Sequence, residues 1–320
     1  MPAGATPRQG ELQMGHMPVT TDDEDTSSVT TREPLGTSRI AASLKRARIR
    51  QIQLCSRGLR LVDSVPRTFA VIKWLRRLPV VRTILAAMTG YNKPFSSLSN
   101  AEAAISGYEG GGHCSVEYLE NTAAHGQRLQ LSDYPALFYI RPLLPDIKTV
   151  FDLGGGVGSL FYSYSKYIAI PSDLTWTVYD LPKTLEIGDR IARERSERRL
   201  RFTDRITDGE GVDLFIGCGS LHYFEMPLPD LLTDLTRKPR YVLVNRTPLV
   251  DGPPVATAQD GGTYRLACKL HNRLDLIHRF EAIGYELVAD WRTSEASVII
   301  PCYPDLSAPN YSGMFFQLKG

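Results

Sequence analysis

The sequence predicts an α/β protein built on a mostly parallel sheet with helices on both faces. From Thr149 onward, short strands rich in β-branched and aromatic residues alternate with helical segments. A glycine-rich turn at residues 154–158 directly follows the first of these strands, and an acid, Asp180, ends the second. Because ligands of open α/β sheets lie beyond the carboxyl ends of the strands, these features predict a ligand site at that edge.

The turn reads Asp-Leu-Gly-Gly-Gly-Val-Gly over residues 152–158. Its alternating glycines are Gly154, Gly156 and Gly158. Glycine has no Cβ, so a ligand meets bare backbone there, and the following helix offers unpaired N–H groups. The dinucleotide fingerprint requires a glycine where Ser159 stands. The turn therefore departs from that fingerprint and does not by itself identify its ligand. Nicotinamide or flavin binding remains an alternative.

The predicted strands occupy residues 149–153, 176–179, 200–202, 212–216, 241–244, 285–291 and 314–318. Helices are predicted from Pro66, after Pro79, from Tyr134, from Ser159 to about residue 170, from Pro182, and over residues 273–283. Asn272 is expected to cap the last of these helices and Gly284 to end it. Residues 248–270 are rich in Pro, Gly and Thr and are predicted to form a mobile lid over the substrate.

The charge of the chain is unevenly distributed. Residues 39–82 contain twelve Lys/Arg against one acid, Asp63, whereas the net charge of the whole chain is only +2. A basic amphipathic helix can lie on an anionic membrane, so Arg39–Arg82 is a candidate for peripheral contact with the inner membrane. The alternative is that its apolar face docks on the protein body. We divide the chain into a disordered tail (1–38), a basic helical arm (39–90), a helical cap or connector (91–148) and an α/β domain (149–320).

Composition limits the class of protein. The five cysteines are scattered without a Cys-x-x-Cys pair, which indicates neither a disulfide framework nor a zinc site, and we expect a cytoplasmic protein without a metal. No apolar run is long enough for a transmembrane helix, and the N-terminus has no apolar signal core.

Five motifs in order resemble those of a bacterial family of S-adenosylmethionine (SAM)-dependent methyltransferases of class I, associated with surface-polysaccharide (O-antigen-type) biosynthesis. They lie at residues 151–158, 176–182, 219–223, 245–248 and 311–313, and the resemblance covers roughly residues 91–320. It implies a Rossmann-like sheet whose last strand is antiparallel, SAM as cofactor, and methyl transfer to a hydroxyl or amine of a small polar acceptor such as a sugar or polysaccharide precursor.

The resemblance also implies roles for cofactor-binding residues. Asp152 would lie near the methionine ammonium, and Asp204 beside the adenine. Asp180 is placed to accept hydrogen bonds from the two ribose hydroxyls. The strand end at Cys218 would face the space between cofactor and substrate.

Other polar residues are candidates for the acceptor side. His222 follows the fourth strand and is the candidate general base, because its unperturbed pKa suits proton removal; the alternative is that it packs beneath the pocket with Tyr223. The candidate substrate-binding residues are His113, Tyr223, Asn245, Arg246 and Tyr264.

Two other functions stay open. A nicotinamide-dependent oxidoreductase or epimerase is one, although no Tyr-x-x-x-Lys stands at the expected place, where Tyr164 is followed by Tyr167 and Ile168. A non-catalytic binding protein with the same fold is the other. Nucleic acid is not an expected partner, because the Asn/Asp-Pro-Pro-Tyr motif of base-amino methyltransferases is absent after the fourth strand. The oligomeric state is not predicted.

Overall fold

The computed structural model describes residues 65–75, 78–91, 93–105, 129–260 and 265–320, together with single positions between 47 and 61. Three predictions therefore lie outside the described residues: the disordered tail, His113 and Tyr264. The division of the chain into four segments stays a prediction.

The strands form one mixed sheet. They are β1 (Thr149–Leu153), β2 (Thr175–Tyr179), β3 (Leu200–Thr203), β4 (Leu214–Cys218), β5 (Tyr241–Val250), β6 (Val255–Asp260), β7 (Arg265–Asn272), β8 (Tyr285–Thr293) and β9 (Tyr311–Leu318). Strands β3, β2, β1, β4 and β5 are neighbours in that order and all parallel. Strand β9 lies between β5 and β8 and runs antiparallel to both. This order, with β9 reversed between β5 and β8, is the Rossmann-like sheet of class I methyltransferases, and the predicted fold class is confirmed.

Helices cover the sheet. They are α1 (Pro66–Leu75), α2 (Pro79–Thr89), α3 (Leu98–Ala103), α4 (Asp133–Ile140), α5 (Ser159–Tyr164), α6 (Pro182–Glu194), α7 (Leu228–Thr233) and α8 (Arg273–Ala282). Strand residues alternate between two cores: Leu214 and Ile216 of β4 pack with α4 and α5, whereas Phe215 packs with α7 and α8. This two-sided burial explains why the strands read as continuous apolar runs.

Most predicted element boundaries agree with the structure to within a few residues. The Asn272 side chain caps α8 by accepting from the Asp275 amide at 2.7 Å. Helix α5 is shorter than predicted and ends at Tyr164. The Ser165 hydroxyl donates to the carbonyl of Tyr162 at 3.2 Å, a local bond that competes with helix continuation.

The mobile lid predicted over residues 248–270 is wrong for the described part of that segment. Strand β5 extends to Val250, and β6 pairs antiparallel with β7. Strand β7 in turn pairs with the end of β5. The Pro, Gly and Thr residues of this segment favour a loop locally. The apolar residues between them are buried in the hairpin, and this burial favours strands.

The basic arm is helical where the structure describes it. Helices α1 and α2 begin at the two prolines that the sequence indicated. Leu85 of α2 is buried against Cys302, and Ile72, Val81 and Met88 pack around this contact. No helix among the described residues is long and apolar enough to cross a membrane.

Gly313 of β9 tests the packing between the last two strands. A Cβ at this position would lie 2.1 Å from the Trp291 ring, which stands opposite on β8. We expect Gly313→Ala to lower the free energy of unfolding by about 1–3 kcal/mol in urea denaturation, because the ring has to move. Gly320→Ala, where a Cβ would meet nothing within 4 Å, is the control. Equal stability of the two variants would contradict the packing.

Candidate functional site

The glycine-rich turn after β1 offers an open face. Gly154, Gly156 and Gly158 all have positive φ, between 62° and 81°. A Cβ at Gly154 would lie 2.4 Å from Cβ of Ser220, whose hydroxyl donates to the Leu153 carbonyl at 2.5 Å. A Cβ at Gly156 would meet only the Ser159 hydroxyl, at 4.0 Å. The turn is therefore pressed against the segment after β4 at Gly154 and open at Gly156.

Asp180 lies at this turn. Its Oδ2 accepts from the Gly156 amide at 2.9 Å, and its Oδ1 accepts from the Leu181 amide at 2.8 Å. Burial raises the pKa of the Asp180 carboxyl, and the two backbone hydrogen bonds oppose that rise. The carboxyl ends of β1 and β2 thus bring the predicted ribose-binding acid to the most open glycine.

Asp152 is buried beneath the same turn. The Trp176 indole N–H donates to its Oδ2 at 3.2 Å. Burial raises the pKa of the Asp152 carboxyl to about 7; the Trp176 hydrogen bond and the Arg246 charge oppose the rise, and the Asp180 charge adds to it. The carboxyl therefore titrates near neutral pH, and a bound cation would favour its ionised form.

Arg246 forms a buried ion pair. Its Nη2 lies 2.7 Å from Oδ1 of Asp133, a residue that is fully buried at the start of α4. The Tyr164 hydroxyl donates to the same oxygen at 2.9 Å, and the backbone N–H of Gln130 donates to Oδ2 at 2.7 Å. Arg246 itself has φ of 50° at a register shift in β5. The pair thus ties α4 to the middle of β5, at its register shift.

Cys218 ends β4 beside this ion pair. Burial raises the pKa of its thiol to about 12, with electrostatic contributions from Arg246, Asp133 and Asp152. The thiol is protonated at neutral pH and is not an activated nucleophile. Cys218, Asp152 and Arg246, predicted separately, therefore belong to one electrostatic cluster with Asp133.

His222 and Tyr223 lie in a 3₁₀ turn after β4. The His222 ring is buried, with its centroid 4.1 Å from the Tyr223 ring and 6.4 Å from that of Tyr311. Both residues therefore lie towards the start of β9. The base role of His222 and the substrate role of Tyr223 stay predictions.

Asn245 and Asp204 lie in contrasting surroundings. Asn245 is fully buried; its amide nitrogen donates to the Ser132 carbonyl at 3.2 Å, and its oxygen accepts from the Trp291 indole at 3.2 Å. Its contacts join α4 to β8, and its substrate role stays a prediction. Asp204 is exposed after β3, and its charge adds to the effect of burial in raising the pKa of Tyr179.

Sequence reasoning missed several residues at this edge. In the sequence, Asp133 has the position of an ordinary acid in the first turn of a helix. Tyr164 and Trp176 have the positions of aromatic residues in a hydrophobic core. His271 on β7 hydrogen-bonds to the backbone of Leu221 and Phe224, and burial lowers its pKa to about 4. A neutral His271 therefore supports the turn that carries His222.

Metal ligation finds no support in the described residues. No group of three or more His, Cys, Asp or Glu side chains among them could hold a metal ion. Cys55, Cys218 and Cys268 form no disulfide among the described residues.

Comparison with known proteins gives only distant structural matches. No protein-family model and no curated protein matches the chain. One match is a magnesium protoporphyrin IX methyltransferase from Synechocystis PCC 6803, solved with S-adenosylhomocysteine. It is 14% identical, the match covers 65% of this chain and 96% of that protein, and the TM-score is 0.42. A SAM-dependent methyltransferase from Aquifex aeolicus is 13% identical over 64% and 99%, with a TM-score of 0.40.

A third match is a 1,6-didemethyltoxoflavin-N1-methyltransferase from Burkholderia thailandensis, solved with its substrate and S-adenosylhomocysteine. It is 16% identical over 72% of this chain and 93% of its own, with a TM-score of 0.41. These scores are too low to carry an argument about function. The fold assignment rests on the strand order and pairing of this chain.

A double-mutant cycle tests the buried ion pair. Removing one partner leaves the other charge buried, so we expect Arg246→Met to cost about 3–5 kcal/mol of unfolding free energy, and Asp133→Asn to be similarly harmful. The double variant is expected to lose clearly less than the sum of the two. The control cycle uses Arg279→Met and Asp230→Asn, an exposed pair whose coupling energy should stay below about 1 kcal/mol. Additive losses at the buried pair would contradict the assignment.

Proposed function

We propose that this chain is a SAM-dependent methyltransferase that acts on a hydroxyl or amine of a small polar acceptor. The observation that carries the proposal is the bond from the Gly156 amide to Asp180, at the one position of the glycine-rich turn that opens freely. A carboxylate ending β2 beside such a turn is suited to the vicinal hydroxyls of a ribose.

The residues around the turn favour SAM over a dinucleotide. Asp152 lies beneath the turn, where a pyrophosphate would meet a carboxylate and an ammonium group would be stabilised. The reversed strand β9 also departs from the sheet of the classic dinucleotide-binding fold. The residues present therefore fit the cofactor that the sequence motifs imply.

The proposed residues divide the work of binding and proton transfer. Asp180 would hold the ribose, Asp152 the methionine ammonium and Asp204 the adenine. SAM supplies a methyl group on a sulfonium. Alignment of acceptor and methyl group in a dry site can contribute about 7–11 kcal/mol, and His222 would accept the proton of an alcohol acceptor, for about 10²–10⁴-fold in rate.

The acceptor class is inferred from the sequence motifs and from Arg246. A sugar or surface-polysaccharide precursor rests on the resemblance of the sequence motifs. Arg246 is oriented by Asp133 and is 18% exposed, so it remains the substrate-binding candidate whose charge suits an anionic group. Cytoplasmic location and contact of Arg39–Arg82 with the inner membrane likewise stay predictions.

Calorimetric titration with S-adenosylhomocysteine tests the cofactor class, with NAD⁺ run alongside. We expect binding of S-adenosylhomocysteine only, and an Asp180→Ala variant should bind it at least about tenfold more weakly because the ribose loses its acceptor. Asp189→Ala removes the same charge from the exposed face of α6 and should leave the affinity unchanged. Binding of NAD⁺ instead would favour the oxidoreductase, and binding of neither would favour a non-catalytic protein. With binding established, a screen of nucleotide sugars tests methyl transfer.

The raised pKa of Asp152 predicts a pH-dependent affinity. Only the ionised carboxylate pairs with the ligand ammonium, so binding of S-adenosylhomocysteine should weaken about tenfold between pH 8 and pH 6, around the pKa of about 7. An Asp152→Asn variant should bind weakly at both pH values. Unchanged wild-type affinity over this range would contradict the role of Asp152.

The same variant gives an independent readout of stability. The folded protein retains a proton on Asp152 that the unfolded chain has lost above its ordinary pKa of 3.8. The contribution of Asp152 to the stability of the free protein therefore declines as the pH rises from about 4 to about 7, and Asp152→Asn should remove this contribution. A wild-type and variant pair with parallel stability profiles would show that the pKa is not raised.

A further inference from the structure

We infer that helices α1 and α2 present a surface that binds an anionic lipid bilayer. The apolar side chains on this surface are exposed by between 52% and 70%: Val71, Trp74, Leu78, Val80 and Ile84. We call these five residues the apolar surface. Single exposed apolar residues are common on protein surfaces, whereas five large ones within fourteen residues of the sequence indicate an interaction site.

The apolar surface is distinct from the face by which α2 packs on the protein. Leu85 is buried against Cys302, with Val81 and Met88 on the same side of the helix. Val80 and Ile84 are one turn apart and form a separate stripe. Packing on the protein body therefore uses one apolar face of α2 and leaves the second exposed.

Helix α2 is joined to the protein body at its C-terminal end. The Thr89 hydroxyl donates to the carbonyls of Leu85 and Tyr91, at 3.1 and 3.2 Å. The Asp260 amide donates to the Gly90 carbonyl at 2.7 Å, and Tyr91 bridges to Gln259. Helix α2 is thus connected to the edge of β6.

The charge of this region identifies the kind of partner. Between residues 64 and 101 the sequence contains six Lys/Arg and no Asp or Glu. Five of the six, Arg67, Lys73, Arg76, Arg77 and Arg82, fall within or between α1 and α2 in the sequence. Basic residues next to exposed Trp and aliphatic side chains are the combination that an anionic bilayer accepts.

A second copy of the chain fits this surface less well. A symmetric dimer contact would bring the same patch of each protomer together. Two segments of the same net positive charge would then meet, without an acid between residues 64 and 101 of either sequence to balance them. An anionic lipid surface supplies the missing negative charge, and the exposed apolar side chains can insert into the bilayer.

Vesicle co-sedimentation of the full-length protein tests the inference. We expect binding to vesicles of phosphatidylcholine and phosphatidylglycerol in equal amounts, weakening as salt is raised, and little binding to phosphatidylcholine alone. The variant Trp74→Ala/Ile84→Ala should bind the anionic vesicles at least about tenfold more weakly. The control, Leu274→Ala/Val288→Ala, removes two exposed apolar side chains from α8 and β8 and should bind like the wild type.

Other outcomes would overturn the inference. Absence of binding, equal binding to neutral and anionic vesicles, or equal binding by both double variants would each contradict it. A concentration-dependent dimer that the Trp74→Ala/Ile84→Ala variant abolishes, without vesicle binding, would show that a second copy covers the surface. Titration with S-adenosylhomocysteine should give the same affinity for both variants, so failure here is distinguishable from failure of the proposed cofactor.

Discussion

The buried pair of Arg246 and Asp133 is the contact on which the carboxyl edge of the sheet depends. Removing two charges from water is costly, and the cost is offset only when hydrogen bonds satisfy the remaining polar atoms. The Tyr164 hydroxyl and the backbone N–H of Gln130 provide such bonds to Asp133. The pair also explains a local irregularity, since Arg246 holds a positive φ where β5 and β9 shift register.

Charge balance at this edge bears on which ligand would be stable there. Arg246 is matched by Asp133. Among the described residues, it is also the one cation whose charge shifts the pKa of Asp152, so the negative charge of Asp152 and Asp180 beside the glycine-rich turn stays unbalanced there. A cationic ligand group would complete the balance, whereas a pyrophosphate would add to the excess. The electrostatics therefore agree with the proposed ammonium site without depending on the distant structural matches.

The sequence predicted what depends on local pattern. The strands of the sheet and the glycine-rich turn were predictable because β-branched runs, glycines and capping residues act over a few positions. Asp133 was missed because its partner Arg246 lies 113 residues away, and nothing near Asp133 indicates an ion pair. The β6–β7 hairpin was missed for a related reason: its Pro, Gly and Thr residues favour loops locally, and burial of its apolar residues against other segments decides otherwise.

The basic arm shows how two alternatives from the sequence can describe different faces of one element. From the sequence, packing of the apolar face on the protein body and contact with a membrane are alternatives, because an amphipathic helix usually has one apolar stripe. Helix α2 carries two neighbouring stripes, since adjacent apolar residues at 80–81 and 84–85 point about 100° apart. The stripe with Leu85 packs on the protein body, and the stripe with Ile84 is exposed. An arm without Asp or Glu between residues 64 and 101 can therefore contribute to folding through one stripe and still present the other, with its surrounding positive charge, to an anionic surface.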